Sequence, residues 1–317
     1  MLQVLRGWRN FHCSTSHFEA VTINDWYRDV KPKRWVTKSD ISRDQADLLT
    51  TTISHLLPLT ASTDCLPYGY HFIYANSHSL EPELNVDGYD SYQAPLITGK
   101  QPPFFRRRMW VQGDIQFKKP IRYNIPLVCE ESITRVFQLN DSVFVNIKRD
   151  FIDPTAESED RLRLTEARTL WYTDKLYMDA QRHSLISLPT GLPVKTHELQ
   201  ISPSTLLRYS GLTFNSHKIH YDKDYAKGEG FPNVLVHGPL TITLLLSWLQ
   251  SSVVGPVGIH SIKYKNVKPL FAGEKCKLVC YNESDSREGY RVFLLNGEGD
   301  ICVEGLVVLE MAQAGEV

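Results

Sequence analysis

The sequence lacks the features that would place this chain within a membrane or on a nucleic acid. Its 317 residues contain no apolar run that approaches the roughly 20 residues needed to span a bilayer. The longest such run, around Leu244 to Leu249, is interrupted and fits a buried helix. The net charge is only -1, which argues against a chain that coats nucleic acid or an anionic membrane surface. With 42% hydrophobic and 22% charged residues, the composition is typical of a soluble globular protein with a sizeable core.

The cysteines lack any pattern that would indicate a metal site or a disulfide framework. No CxxC pair and no Cys/His ligand spacing occurs among the six of them. We therefore interpret them as reduced thiols in a reducing compartment, and we predict no bound metal. Cys276 and Cys280 lie four residues apart in a strand-like segment, where both side chains would point to one face. These two are predicted to be small core residues.

Acidic residues are missing from the start of the sequence, where the first one is Glu19. The preceding residues include Arg6 and Arg9 and several Ser and Thr residues, and on a helix they would form a basic, amphipathic segment. This pattern is typical of a mitochondrial transit peptide, whereas the continuous apolar core of a secretory signal is missing. We therefore predict a transit peptide over residues 1–20 and localisation in the mitochondrial matrix. The alternative is an N-terminus without a targeting role.

Two stretches of the chain resemble each other at a constant offset of 149 residues. Lys119-Pro120-Ile121 falls opposite Lys268-Pro269-Leu270, and Val143-Phe144 falls opposite Val292-Phe293. Each copy is predicted to contain a hairpin, with strands over residues 127–137 and 142–151 in the first and 275–282 and 290–295 in the second. A repeat of this length indicates a duplicated domain rather than a solenoid. Chance similarity between two β-rich stretches is the alternative.

Helical signals are few. Ser42 forms a capping box with Gln45 ahead of a helix that would end before Pro58. A second helix is predicted over residues 202–210. The third begins at Gly238, with proline in its first turn, and is apolar on nearly every face. Because such a helix has no solvent face, strands must cover it, as in the α+β hotdog arrangement.

The first half of the chain has no equivalent of the helix at Gly238. The position 149 residues earlier is Tyr89, in a polar segment rich in turn formers. We predict that this half lost its central helix, which would leave a groove on the sheet. The predicted organisation is an N-terminal degenerate hotdog over residues 21–180, a linker over residues 181–200 and a C-terminal catalytic hotdog over residues 201–317.

Three groups with complementary chemistry follow the second helix. Asn215 and His220 are five residues apart, and Gly238 follows His220 by 18 residues at the start of the third helix. An amide can hold a water molecule, an imidazole can accept or donate a proton near neutral pH, and the N–H groups of a helix N-terminus can bind a developing oxyanion. Addition of water to an α,β-unsaturated thioester requires these three parts.

This region resembles the hydratase 2 motif of MaoC-like (R)-specific enoyl-thioester hydratases, roughly Ser-Gly-Asp-x-Asn-Pro-Ile-His followed later by His-Gly-x-Leu. The second element matches His237-Gly238-Pro239-Leu240. The resemblance implies that His220 is the catalytic histidine and that the Gly238 N–H binds the thioester carbonyl. Over about residues 25 to 310 the chain resembles fungal mitochondrial 3-hydroxyacyl-thioester dehydratases of type 2 and mesaconyl-CoA hydratase-like proteins. The implied fold is a double hotdog with two antiparallel sheets.

The chain departs from the wider family at two positions of this motif. Asn215 stands where the family has Asp, and His217 stands where it has Asn. Because Asn cannot take a proton, His220 would have to serve as both acid and base, with Asn215 orienting the water. Alternatively, His217 or Asp222 assists.

The basic run Arg106-Arg107-Arg108 admits two interpretations. By default it is a solvated cluster, but it would also suit the phosphate of phosphopantetheine or the acidic surface of an acyl carrier protein. Arg106, Arg107 and Arg108 are therefore possible substrate-binding residues.

Three functional hypotheses remain open. The first is reversible dehydration of (3R)-3-hydroxyacyl thioesters, which the resemblance links to acyl carrier protein and mitochondrial type II fatty acid synthesis. The second is hydration of an enoyl-CoA or a dicarboxylyl-CoA, and the third is a non-catalytic hotdog that binds acyl thioesters. No metal or redox cofactor is expected, because the thioester itself acidifies C2. The chain is expected to be a monomer or a homodimer.

Overall fold

The fold is built on one antiparallel sheet. A computed structural model describes residues 23–59, 64–96, 105–178, 186–283 and 289–310. In this part of the chain ten strands form a single sheet, and every neighbouring pair is antiparallel. The strands are β1 (Trp35–Asp40), β2 (Arg107–Phe117), β3 (Pro126–Leu139), β4 (Ser142–Ile152), β5 (Leu162–Thr173), β6 (Lys195–Gln200), β7 (Ile259–Asn266), β8 (Lys275–Asn282), β9 (Gly289–Leu295) and β10 (Ile301–Leu309).

The order of the strands shows the same arrangement twice. From one edge to the other it is β1-β3-β4-β5-β2-β7-β10-β9-β8-β6. Read outward from the centre, β2-β5-β4-β3-β1 and β7-β10-β9-β8-β6 follow the same connectivity. The halves meet where β2 pairs with β7, and Gly113 lies opposite Tyr264 in that register. A Cβ at Gly113 would collide with the Tyr264 ring, so a residue without a side chain is needed here.

The helices pack around this sheet and connect its strands. They are α1 (residues 23–30), α2 (Arg43–Ile53), α3 (Pro203–Thr213), α4 (Lys223–Gly228) and α5 (Gly238–Leu249). Ten of the twelve residues of α5 are buried, because its sequence leaves no polar face for solvent. The core cluster that contains α5 also includes side chains of β7, β8, β9 and β10. None of the helices in the described ranges is both long and apolar enough to cross a membrane.

The predicted α+β class and the main predicted elements are confirmed. Strand β8 has the predicted bounds, and β3 and β4 form the predicted hairpin. The Ser42 hydroxyl accepts from the Gln45 N–H at 3.5 Å and begins α2. The Gln45 side chain does not complete a capping box, because it donates to the Ile73 carbonyl instead. Cys276 and Cys280 lie in the core as predicted.

The predicted linker needs a correction. Residues 195–200 form β6, which pairs with β8 at the edge of the sheet, so this part of the segment belongs to the fold. The sequence of β6 does not alternate clearly between apolar and polar residues, and Lys195 and Glu198 are exposed. Its sequence alone therefore did not predict a strand. The predicted boundary at residue 180 lies outside the described residues and stays a prediction. The predicted transit peptide over residues 1–20 lies outside the described residues.

Among its described residues the N-terminal half has no counterpart of α5, and a short buried turn packs on its sheet. The predicted groove stays a prediction. The 3-10 turn Tyr70–Ile73 is buried throughout. The His71 ring lies 5.5 Å from that of Phe151 on β4, and the Phe72 ring lies 5.8 Å from that of Trp110 on β2. Burial lowers the pKa of His71 to about 3, so this imidazole is neutral at pH 7.

Charged side chains complete the interior of this half. Arg149 lies 3.1 Å from both Glu131 and Glu166, and Arg168 lies 2.8 Å from Glu166. We call these four side chains the buried charge network. Burial alone would raise the pKa of Glu166, but Arg168 and Arg149 lower it to about 2, so the carboxylate is ionised. The half without a central helix is therefore held partly by ion pairs.

Candidate active site

The site lies where the segment after α3 meets the N-terminus of α5. Helix α3 ends at Thr213, and the left-handed backbone of its C-cap Phe214 (φ 52°) turns the chain out of the helix. Residues 214–220, which we call the site loop, follow and close with the 3-10 turn Lys218–His220. The chain then passes through α4 and returns to α5 at Gly238. The three predicted catalytic residues thus lie on two neighbouring segments.

His220 is held in one tautomer. Its Nδ1 lies 2.9 Å from the Leu235 carbonyl oxygen. Because a carbonyl oxygen only accepts, Nδ1 carries the hydrogen and Nε2 keeps a free electron pair. Burial lowers the pKa of His220 to about 3, assisted by neighbouring His217 and opposed by the hydrogen bond to Leu235. The imidazole is therefore neutral at pH 7 and suited to act as a base.

His237 brings the base next to the start of α5. The His220 and His237 rings stack with centroids 3.6 Å apart. His237 is the residue before α5, is fully buried, and its Nε2 lies 2.9 Å from the Ser210 hydroxyl. Gly238 follows directly. Within the described residues no backbone carbonyl accepts from the Gly238 N–H, which lies at the positive end of the α5 dipole.

Little space surrounds Gly238. A Cβ at this position would lie 3.3 Å from Asn266 Nδ2 and 3.6 Å from Trp110 Cβ. Asn266 in turn donates to the Trp110 carbonyl at 2.8 Å. Since Trp110 lies on β2, the N-terminal half forms part of the wall around the helix N-terminus. A backbone N–H here is suited to bind an oxyanion.

Asn215 is fixed by its own loop. Its Oδ1 accepts from the His217 N–H at 2.9 Å, so its NH2 group is the part left to donate. The His217 ring stands edge-on to the His220 ring, with centroids 5.5 Å apart. Burial lowers the pKa of His217 to about 4, although nearby Asp87 opposes the shift. His217 and His220 are therefore both neutral at pH 7.

The N-terminal half contributes a second part of the site that the sequence motif did not indicate. Residues 85–90, which we call the strap, run along the site loop. The Lys218 N–H donates to the Asp87 carbonyl at 2.8 Å, and the Ser216 hydroxyl donates to the Gly88 carbonyl at 2.6 Å. Gly88 has a positive φ of 80°, and a Cβ there would lie 2.5 Å from the Ser216 carbonyl oxygen. The turn-forming composition around Tyr89 was the available signal, but it does not reveal a partner 130 residues away.

The basic run does not form one solvated cluster. Arg107 is buried, forms an ion pair with Glu229 and donates to the Asp174 carbonyl at 2.8 Å. Arg108 is buried against Asp87 at 3.1 Å. Arg106 is the exposed member. Two of the three predicted substrate-binding guanidinium groups are thus held by acceptors of the chain itself, because alternate residues of β2 point to opposite faces.

Asp222 caps the N-terminus of α4. Its Oδ1 accepts from the N–H groups of Asp224 at 3.0 Å and Tyr225 at 2.9 Å, which makes it the N-cap of α4. The expectation that its carboxylate also assists at the site stays a prediction. Among the described residues, no three His, Cys, Asp or Glu side chains are arranged to hold a metal ion.

Comparisons of the sequence with known proteins agree on one family. The profile of the family described as hydroxyacyl-thioester dehydratase type 2 matches residues 69–272. The mitochondrial hydroxyacyl-thioester dehydratase type 2 of Saccharomyces cerevisiae is 26% identical over 270 residues, covering 82% of this chain and 92% of the relative. The protein of the same name from Schizosaccharomyces pombe is 28% identical over 280 residues, covering 78% and 90%. Mesaconyl-C(4)-CoA hydratase of Chloroflexus aurantiacus is 27% identical over 240 residues, covering 74% and 81%.

Solved structures agree on the fold. HtdX of Mycobacterium tuberculosis superposes with a TM-score of 0.62 at 16% identity, covering 87% of this chain and 99% of that one. A second M. tuberculosis protein, described as a double hotdog, gives a TM-score of 0.54 at 12% identity and covers 89% and 97%. The predicted double hotdog fold is confirmed, but the two antiparallel sheets that we predicted are joined through β2 and β7 into one ten-stranded sheet.

Proposed function

The chain belongs to the hydroxyacyl-thioester dehydratase type 2 family and is a hydro-lyase, and on that premise we propose that it interconverts (3R)-3-hydroxyacyl thioesters and trans-2-enoyl thioesters. The observation that carries this proposal is the position of a neutral His220 against the N-terminus of α5. Its Nδ1–H is bonded to the Leu235 carbonyl, so the base is oriented before substrate binds. The His220 ring stacks on that of His237, the residue directly before Gly238, so the base lies next to the start of α5.

In the dehydration direction, His220 Nε2 removes the proton from C2 of the substrate. The electron pair moves onto the thioester oxygen, and the Gly238 N–H stabilises this negative charge. The C3–O bond then breaks as His220 returns the proton to the departing hydroxyl, which leaves as water. Hydration is the reverse. One imidazole therefore carries the proton in both steps, and no metal or redox cofactor is required because the thioester itself acidifies C2.

The lowered pKa of His220 fixes its protonation state, and it also makes the neutral imidazole a weaker base than a solvent-exposed histidine. Because burial keeps His220 neutral at pH 7, its Nε2 is available as a base over the whole neutral range. The imidazolium formed during the reaction is a strong acid in the same environment. It therefore returns its proton readily to the hydroxyl.

Asn215 is proposed to hold the departing hydroxyl by donating from its NH2 group. Asn215→Ala should lower kcat by about 10- to 100-fold, the effect of losing one hydrogen bond to a group that develops charge. KM should change by less than about twofold, since the hydrogen bond strengthens as the C3–O bond breaks. The measurement is steady-state hydration of crotonyl-CoA. Asn282→Ala, at the exposed end of β8, is the matched control. A change in KM alone would contradict this role.

The proposed substrate carrier is an acyl carrier protein in mitochondrial type II fatty acid synthesis. Support comes from the two fungal relatives, whose names place them in mitochondria. The predicted matrix localisation and the predicted transit peptide are consistent with this. A CoA thioester is the second candidate, because the bacterial relative is named as a hydratase of a CoA ester. We further propose that one chain forms a complete site, since both halves contribute to it.

Assays with the crotonyl thioesters of acyl carrier protein and of CoA, under the same conditions, should distinguish the two candidate carriers. We expect kcat/KM to be at least about tenfold higher on the carrier protein, because its acidic surface can add charge contacts at the rim of the site. Arg106→Ala should lower kcat/KM on the carrier protein and leave that on CoA unchanged, with Arg34→Ala as the control. Equal efficiency on both thioesters would contradict the carrier-protein assignment and leave the hydratase activity itself intact.

A further inference from the structure

The strap brings a buried carboxylate to the site loop. Asp87 is 2% exposed, and its Oδ2 lies 3.5 Å from His217 Nε2 and 3.1 Å from the Arg108 guanidinium. Its Oδ1 accepts from the Tyr89 N–H at 3.0 Å, which fixes the carboxylate plane. Arg108 also donates to the Asp90 carbonyl at 2.7 Å and lies over the Tyr89 ring at 4.2 Å. The carboxylate is therefore held rigidly from the N-terminal half.

His217 connects this carboxylate to the base. Its ring touches Asp87 on one side and stands edge-on to the His220 ring on another. Its backbone N–H is bonded to Asn215 Oδ1. A continuous series of side-chain contacts therefore runs from the N-terminal half to the reacting position, through Asp87, His217 and His220.

The strap does not need the Asp87 carboxylate to stay attached to the loop. Three other hydrogen bonds make that connection: Lys218 N–H to the Asp87 carbonyl, Ser216 hydroxyl to the Gly88 carbonyl, and Lys218 Nζ to the Val86 carbonyl at 2.9 Å. A buried carboxylate is costly unless charged partners hold it. Arg108 is that partner, and the same carboxylate oxygen also faces His217 Nε2, a contact that the ion pair with Arg108 does not require.

We propose that Asp87 is a positioning residue of the dehydratase, supplied by the degenerate half, which acts through His217 on His220. This proposal rests on the proposed function. The carboxylate favours the His217 tautomer with its hydrogen on Nε2 and fixes the plane of that ring. Its negative charge also favours the imidazolium that His220 becomes while it holds the substrate proton. Asp87 does not take over the role of the acid that the wider family has at the position of Asn215, because it contacts His217 and acts only through that ring.

A double-mutant cycle tests this directly. Asp87→Asn keeps the acceptor for the Tyr89 N–H and removes the charge. It should lower kcat for crotonyl-CoA hydration by about tenfold, a coupling typical of residues in contact, with KM changed by less than about twofold. In a His217→Asn background, the same Asp87→Asn change should alter kcat by less than about twofold, because the connecting ring is gone. A merely structural role for Asp87 would not produce this dependence on His217.

Lys218→Met is the control, since it removes a strap contact without touching His217, and it should have the same effect in both backgrounds. If Asp87→Asn proves unstable because Arg108 is left unpaired, Asp87→Asn combined with Arg108→Met removes both charges and should show the same loss. Equal losses with and without His217, or no loss, would overturn the assignment of Asp87. If His220→Ala retained the wild-type rate, the proposed function itself would fail, and the two failures are thus distinguishable.

Discussion

His220→Ala should lower kcat for hydration of crotonyl-CoA by at least about a thousandfold, which is within the range for loss of a general acid–base group. The effect is expected to be this large because His220 carries the proton in both steps and Asn215 cannot take its place. Neighbouring His217 and His237 are also neutral, but they hold other contacts, to Asp87 and Ser210. The decrease should appear in kcat and in kcat/KM alike, since the lost interaction belongs to the transition state.

His260→Ala is the matched control for this substitution. His260 is exposed on β7, so its removal should leave both the rate and the thermal midpoint unchanged. Circular dichroism of His220→Ala should match the wild type, because the ring makes few contacts: it stacks on His237, stands edge-on to His217 and bonds one carbonyl. A rate within twofold of the wild type would show that another group is the base.

Arg149→Met should lower the free energy of unfolding by about 3–5 kcal/mol, the usual effect of removing one partner from a buried ion pair. The Arg149 guanidinium is 3% exposed, lies 3.1 Å from two carboxylates, and donates to the Ala75 carbonyl at 2.8 Å. Its loss leaves Glu131 without a cation and Glu166 with Arg168 alone. Chemical denaturation at pH 7 measures the difference.

Lys148→Met provides the comparison on the neighbouring residue of β4. Lys148 is exposed and pairs with Asp150 at 2.6 Å, so its loss should change the free energy of unfolding by less than about 1 kcal/mol. Similar losses for the two variants would contradict the importance of the buried charge network.

The difference in the free energy of unfolding between wild type and Arg149→Met should depend on pH, because Glu166 ionises. Its folded-state pKa of about 2 lies below the ordinary value of 4.5, so the stabilisation from its ionised form is complete above that value. As the pH falls from 4.5 towards 2, the folded protein loses this contribution. The gap between wild type and Arg149→Met should therefore narrow over the same range. If the difference in free energy of unfolding did not change between pH 4.5 and pH 2, Arg149 would stabilise the fold by packing alone.

Local features of the chain were predictable from the sequence. Helix α5 was predicted because Gly238 and Pro239 begin a run that is apolar on nearly every face, and that pattern does not depend on the rest of the fold. The spacing of Asn215, His220 and Gly238 predicted the candidate site because these residues lie within about 25 positions of one another. The β3–β4 hairpin followed from alternating strands around a two-residue turn.

Features that depend on distant contacts were not predictable in the same way. The short, polar β6 is a strand only because β8 offers it an edge. Arg107 and Arg108 looked like a solvated pair until the fold placed Glu229 and Asp87 beside them. The strap was visible as a turn-rich segment, but its contact with the site loop depends on how the two halves are joined.

Crotonyl-CoA hydration, followed by the loss of enoyl-thioester absorbance and by chiral analysis of the product, tests the central claim most directly. We predict that wild type and His260→Ala form (3R)-3-hydroxybutyryl-CoA and that His220→Ala forms none at a measurable rate. Binding of crotonyl-CoA by the wild type without hydration would contradict the claim and would indicate a hotdog that binds thioesters without acting on them.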